Sequence, residues 1–286
     1  MNNQKSTKRN YVLWYSVLVL VFTWGVSFAL FTDPELDTNS IFVMIPLALA
    51  LFFPAILAFI FQRIQYGSIK IKSQFSVKKL NKKSLLFAVF YPIVFILICF
   101  FIALILNIAE LDYNKIPNLS DVIQIILSIF INMIIIFGEE YGWRGYLLPE
   151  LTKDYGKLNA TIIVGIVWGL FHVPVIYLSA KASGMSEPIL VCLIQALVVF
   201  VFSFSYSYCY YLSESLIPIL LMHSIWNELN TLVLGNISSN SQGILTGKLF
   251  YINGEGVFGL VLGVILVFWF IVQFRKERIL RYQIKM

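Results

Sequence analysis

Charge is scarce in this chain. Only 13% of its 286 residues are Asp, Glu, Lys or Arg, 59% are hydrophobic, and the mean hydropathy is +0.83. An ordinary soluble domain has about 25% charged and about 45–50% apolar residues, so the composition excludes a water-soluble globule. Cysteine is nearly absent, and Cys99, Cys192 and Cys209 all fall inside apolar runs. Thiols so placed give neither a disulfide framework nor a zinc-type spacing, which leaves them as small core hydrophobes. Histidine is scarcer still, with His172 and His223 as its two members. Internal repeats and low-complexity linkers are missing as well, so residues 1–286 read as a single membrane domain.

What the chain has in abundance is long apolar runs. Stretches of about 17–25 apolar residues are membrane-helix candidates. Eight occur, at about 11–32, 40–62, 84–108, 121–149, 159–180, 188–211, 214–234 and 257–274. The expected fold is therefore all-α, a polytopic membrane protein of about eight transmembrane helices. The first run follows a basic start, MNNQKSTKR, and outlasts a signal-peptide core with no clear cleavage site after it, so it is expected to be retained. The fourth is too long to stay in the bilayer, and its last turns should emerge. Only LSES separates the sixth from the seventh, which predicts a tight helical hairpin.

Lysine and arginine set the orientation. With eight crossings, seventeen of the 21 basic residues fall on one side, in segments 5–9, 63–83, 153–157 and 275–285. Lys115, Lys181 and Lys248 fall on the other. Both termini are accordingly expected in the cytoplasm of a multi-pass plasma-membrane protein. The same asymmetry accounts for the net charge of +6: these cations face anionic lipid headgroups, so membrane lipids, and not nucleic acid, are the expected partners. Segment 63–83 is expected to lie at the interface.

Against this background the polar residues of the second half stand out. The first three runs hold no Asp, Glu, Lys, Arg or His in their cores, whereas Glu139, Glu140, Arg144, His172, His223 and Asn227 all sit in later ones. Ionisable groups within a membrane usually face a bundle interior or a wet cavity and mark function. With inner helix ends near Glu150, Thr161 and Ser213, the residues Glu139, His172 and His223 each lie 10 or 11 positions in. At about 1.5 Å per residue that is one layer about 15–17 Å deep, nearer the cytoplasmic face. Glu140 and Arg144 are four apart, share a helix face and can pair. Glu139 points about 100° away from Glu140, free to meet the two imidazoles. His223 and Asn227 in HSIWN project side by side, as do Trp168 and His172 in WGLFH. Pro174 is expected to kink its helix and free a carbonyl near the site. Asn132, Gln195, Glu214, Glu228 and Asn230 read as structural.

Three elements thus stand in order: Glu139-Glu140-x-x-x-Arg144, Trp168-x-x-x-His172 and His223-x-x-x-Asn227. The pattern resembles the CPBP family of intramembrane proteases, with its type II CAAX prenyl proteases and its bacteriocin-processing and self-immunity (Abi-like) members. RGYLLPEL, after the second glutamate, looks like the family's usual continuation, and Trp168 stands where the family usually has Phe. The resemblance covers about 121–235, the expected catalytic core. It implies an intramembrane endopeptidase acting on a membrane-associated peptide, a lipidated CAAX-type tail or a bacteriocin- or signal-peptide-like substrate. Glu139 with His172 would activate water, His223 and Asn227 would stabilise the oxyanion, and Glu140 with Arg144 would support the helix end. A metal-free mechanism is the expectation. The alternative is Zn2+ held by Glu139, His172 and His223, a ligand count that fits a catalytic zinc site. Two other functions compete, a non-catalytic immunity or scaffold protein and an ion-coupled transporter. The latter lacks the paired broken helices of inverted repeats.

Overall fold

The structure, a computed structural model, describes the backbone of residues 2–31 and 41–283 and the side chains of 10–30, 45–46 and 48–276. The expected helix limits at 32 and 40, and Lys285, lie outside the described residues. In chain order the helices are α1 (Asn2–Phe31), α2 (Ile41–Tyr66), the single turn α3 (Ile71–Gln74), α4 (Lys82–Ile105), α5 (Leu119–Glu140), α6 (Leu148–Ala182), α7 (Pro188–Ser213), α8 (Leu216–Leu234), the single turn α9 (Leu249–Ile252) and α10 (Val257–Gln283). Strands β1 (Ala109–Leu111) and β2 (Leu245–Gly247) pair antiparallel, with Glu110 opposite Thr246. The eight long helices fall on the eight apolar runs, and the fold is an all-α polytopic bundle. Six described stretches are long and apolar enough to cross a bilayer, the longest containing both α5 and α6. The helix α8 is not among them, because His223, Asn227, Glu228 and Asn230 interrupt it. Ile126, Phe130, Ile131 and Ile134 on α5 and Val261, Ile265 and Phe268 on α10 are exposed. Apolar faces of that extent need a lipid or protein cover.

Helix ends follow local chemistry. A reciprocal cap starts α5: the Asn118 N–H donates to Asp121 Oδ2 (2.9 Å) and the Asp121 N–H donates to Asn118 Oδ1 (3.1 Å). The hairpin between α7 and α8 turns on Glu214 in a left-handed conformation (φ 51°), and Ser215 then caps α8. The fourth run does not end in a loop. A π-helical stretch, Tyr141–Leu147, carries α5 straight into α6, and every one of its seven residues is buried. The change of direction comes later, at Gly156 (φ 75°), a conformation that glycine adopts without a Cβ penalty. Pro174 does not open the helix toward the site, since Gly156 is the non-helical residue inside α6. The carbonyl that Pro174 cannot bond, that of Leu170, instead accepts the Trp24 indole N–H of α1 at 2.9 Å.

The bundle has two distinct ends. At one, Tyr66 donates to Glu150 (2.5 Å), Asn81 donates to the Leu212 carbonyl (2.7 Å), and buried Gln74 donates to the Gly145 carbonyl (3.0 Å). Segments 63–83 and 153–157, with nine of the basic residues, gather here, and Tyr11 and Phe274 pack here against Phe61 and Tyr211. At the other end lie the β-pair and a cluster of Ile176, Ala180, Val191, Cys192, Ile237 and Leu249. We refer to these as the basic end and the loop end.

The π-helical stretch is pressed against α2. A Cβ on Gly142 would come within 2.4 Å of Pro54 Cβ and 2.5 Å of the Tyr15 hydroxyl, which itself donates to the Pro54 carbonyl (3.0 Å). Overpacking of this kind costs about 1–3 kcal/mol. Gly142→Ala is therefore expected to lower the thermal midpoint of the detergent-solubilised protein by several degrees. Gly25→Ala, at a position with no atom within 4 Å, should leave it unchanged, and equal midpoints for the two variants would contradict this packing.

Candidate active site

The two adjacent glutamates have different partners. Glu140 and Arg144 are fully buried, and Arg144 Nη1 donates to both Glu140 oxygens at 2.9 and 3.1 Å. His223 of α8 joins them, its Nδ1 lying 2.8 Å from Glu140 Oε1. The guanidinium stacks 4.2 Å from the Trp168 ring of α6 and 5.0 Å from the Tyr206 ring of α7, contacts that favour a cation over an aromatic face. A buried charge is tolerated when paired and bonded in this way. The expected Glu140–Arg144 pair is present, but His223 adds itself to Glu140, where the sequence suggested that both imidazoles would meet Glu139.

Glu139 is the other carboxylate and the more open of the two. Its Oε2 accepts the Trp168 indole N–H at 3.1 Å and lies 3.8 Å from His172 Nε2. His172 Nδ1 is 2.9 Å from the carbonyl of Trp168, one turn earlier. A carbonyl can only accept, so Nδ1 carries a hydrogen, and in the neutral tautomer Nε2 is left with its lone pair toward Glu139. Two acceptors facing each other across 3.8 Å can each take one hydrogen of the same water molecule. By the same reasoning His223 donates from Nδ1 to Glu140, which leaves its Nε2 for a ligand.

These groups line one cavity of about 260 Å³. Glu139, His172, His223 and Asn227 all contribute, with Trp168 and Tyr206. The remaining wall comes from the loop-end halves of α6, α7 and α8, including Ser179, Gln195 and Trp226, and from two residues beyond α8, Ser238 and Glu255. No segment of the basic end lines it. The cavity therefore extends from the site toward the loop end, away from the side that depth counting favoured. The reason is that the basic-end half of the bundle is filled: Tyr141, Trp143, Tyr146 and Leu147 are all buried there.

Three lining residues escaped sequence reasoning. Trp168 reads as a packing aromatic, yet an indole N–H buried in an apolar layer needs an acceptor, and that need is the one signal pointing to Glu139. Gln195 reads as structural, but it donates to Glu255 Oε2 (2.7 Å) and accepts from Ser238 (2.8 Å). Glu255 lies outside the motif region, in a turn with no signal of its own. Asn132 and Glu228 do bond each other, joining α5 to α8 as a structural reading expects.

Zinc needs about three side-chain donors around one point. Among the described residues no three His, Cys, Asp or Glu side chains are arranged to hold a metal ion. The alternative set, Glu139, His172 and His223, is accordingly not gathered around one point in this structure.

Residues 121–229 match the family model for type II CAAX prenyl endopeptidase Rce1-like proteins. A 41-residue stretch is 44% identical to CAAX prenyl protease 2 of Methanococcus maripaludis. That similarity covers 14% of this chain and 15% of the archaeal protein. The matched region holds Glu139, His172, His223 and Asn227, the residues that gather around the cavity. Within this polytopic membrane protein, residues 121–229 are thus similar to type II CAAX prenyl endopeptidase Rce1-like proteins.

Proposed function

We propose that this protein is an intramembrane endopeptidase that hydrolyses a peptide bond with water activated by Glu139 and His172. The observation that carries the reading is the facing pair, Glu139 Oε2 and His172 Nε2 at 3.8 Å, on the wall of a cavity shared with His223 and Asn227. The water gives one proton to Glu139 as its oxygen attacks the peptide carbonyl, and His172 holds its second hydrogen. The negative charge that develops on the carbonyl oxygen is met by the Asn227 amide and by His223 Nε2–H. In this step His223 donates from both nitrogens, Nδ1 to Glu140 and Nε2 to the oxyanion. Collapse of the tetrahedral species breaks the C–N bond, and the proton held by Glu139 passes to the leaving amine. Oxyanion donors of this kind act where water is excluded and are worth about 10²–10³ in rate each.

In this reading the basic end faces the cytoplasm of a bacterial-type plasma membrane, with both termini there. The substrate, a membrane-associated peptide of the CAAX, bacteriocin or signal-peptide kind, reaches the site from the loop end, because that is where the cavity's wall is made. The reaction proceeds without metal.

Glu139→Gln should lower hydrolysis by about 10³-fold, within the usual range for loss of a general base, with thermal stability unchanged. Comparative peptidomics of membranes carrying wild type or Glu139→Gln should show at least one peptide shortened by the wild type alone; identical peptide sets would sink the proposal. Glu140→Gln acts differently, leaving Arg144 and His223 without their shared carboxylate. It should destabilise the detergent-solubilised protein by about 3–5 kcal/mol, read as a lower midpoint and a lower yield. Dialysis against a zinc chelator should leave peptide processing unchanged, and activity lost on chelation and restored by zinc would overturn the metal-free mechanism.

A further inference from the structure

The cavity has a second carboxylate, Glu255, among the residues of its loop-end wall. It sits in the turn between α9 and α10, and that turn is built onto α8. Asn230 donates to Asn253 Oδ1 (3.2 Å) and accepts the Gly254 N–H (3.2 Å), while Asn253, fully buried, donates to the Gly235 carbonyl (2.6 Å). The Glu255 N–H donates to Asn253 Oδ1 at 2.8 Å. Gly254 lies so close to Trp226 that a Cβ would approach its ring to 2.8 Å. The carboxylate is therefore held in place before any ligand arrives, which lowers the ordering cost of binding.

Its bonding is incomplete in a specific way. Oε1 accepts the Trp226 indole N–H (3.1 Å) and Oε2 accepts the Gln195 amide (2.7 Å), both neutral donors. Glu140 has a guanidinium and Glu150 has Lys153, whereas among the described residues no cation pairs with Glu255. A carboxylate offers about four acceptor positions, so room for further donors remains on this half-buried group on the cavity wall. In such surroundings a charge acts more strongly than in bulk water.

We propose that Glu255 is a specificity-determining residue that receives a cationic group of the peptide, a Lys or Arg side chain or a free α-amine, at the loop-end side of the cavity. The proposal rests on the reading of this cavity as a peptide-cleaving site, but part of its test does not. In the full-length protein, Ser238→Cys places a thiol on the residue that orients Gln195. The native cysteines are buried, and the unsubstituted chain is the labelling control. Labelling rates are measured with a trimethylammonium and a sulfonate methanethiosulfonate, each normalised to its rate with a small free thiol. The cationic reagent should react about 10-fold faster than the anionic one, and Glu255→Gln should bring the two within about 2-fold. Ser179→Cys on the α6 wall serves the same purpose if Ser238→Cys reaches the membrane poorly. In peptidomics, cleavage sites made by the wild type should be enriched in nearby basic groups, and Glu255→Gln should remove that enrichment. Equal reagent rates with Glu255 intact, or a cleaved set unchanged by Glu255→Gln, overturn the proposal. A Glu255-dependent charge preference without any cleavage supports cation binding here and counts against hydrolysis alone.

Discussion

One carboxylate organises the functional half of this molecule. Glu140, with no exposure to solvent, holds Arg144 one turn ahead and His223 on a separate helix. Arg144 in turn lies on Trp168 of α6 and Tyr206 of α7. Four helices and the π-helical stretch therefore meet at a single buried ion pair. Such a pair adds little net stability over a hydrophobic equivalent, but removing one member is costly. Its consequence here is geometric, since it fixes which imidazole nitrogen of His223 is left for the cavity.

The neighbouring carboxylate has the opposite character. Glu139 is bonded by one neutral indole N–H and faces one imidazole nitrogen. One residue along a helix rotates a side chain by about 100°, and that rotation sends two chemically identical groups into different surroundings. Glu140 is sealed among aromatic rings and Glu139 reaches the cavity. The His172 ring is held by the carbonyl of Trp168, and the Trp168 indole is held by Glu139. The two residues of WGLFH that share a helix face thus orient each other and the glutamate.

The bundle is asymmetric along its axis. The basic end is closed by large buried rings and by Gln74, which bonds Gly145 and Tyr210. At the loop end the residues lining the cavity include Glu255, in a turn 32 positions beyond His223 in the chain. Under the proposed function, substrate would enter and be recognised at this end, apart from the residues assigned to bond breaking.

Much of this was legible in the sequence because it depends on local spacing. Apolar run length gave eight long helices, since a bilayer imposes a minimum length on any crossing. The i,i+4 relations of Glu140 with Arg144 and of Trp168 with His172 predicted shared faces, because helical periodicity alone decides them. Motif order also pointed to the region that matches the Rce1-like family. Other features depended on what lies across the bundle. The π-helical stretch carries no signal, as an ordinary helix would satisfy the same residues until Gly142 meets Pro54. The partner of the carbonyl freed by Pro174 is Trp24, 146 residues away. His223 pairs with Glu140 across 83 residues, and Glu255 meets Gln195 across 60. Spacing fixes the direction of a side chain from its own helix axis; only the packing of helices against one another decides what stands in its path.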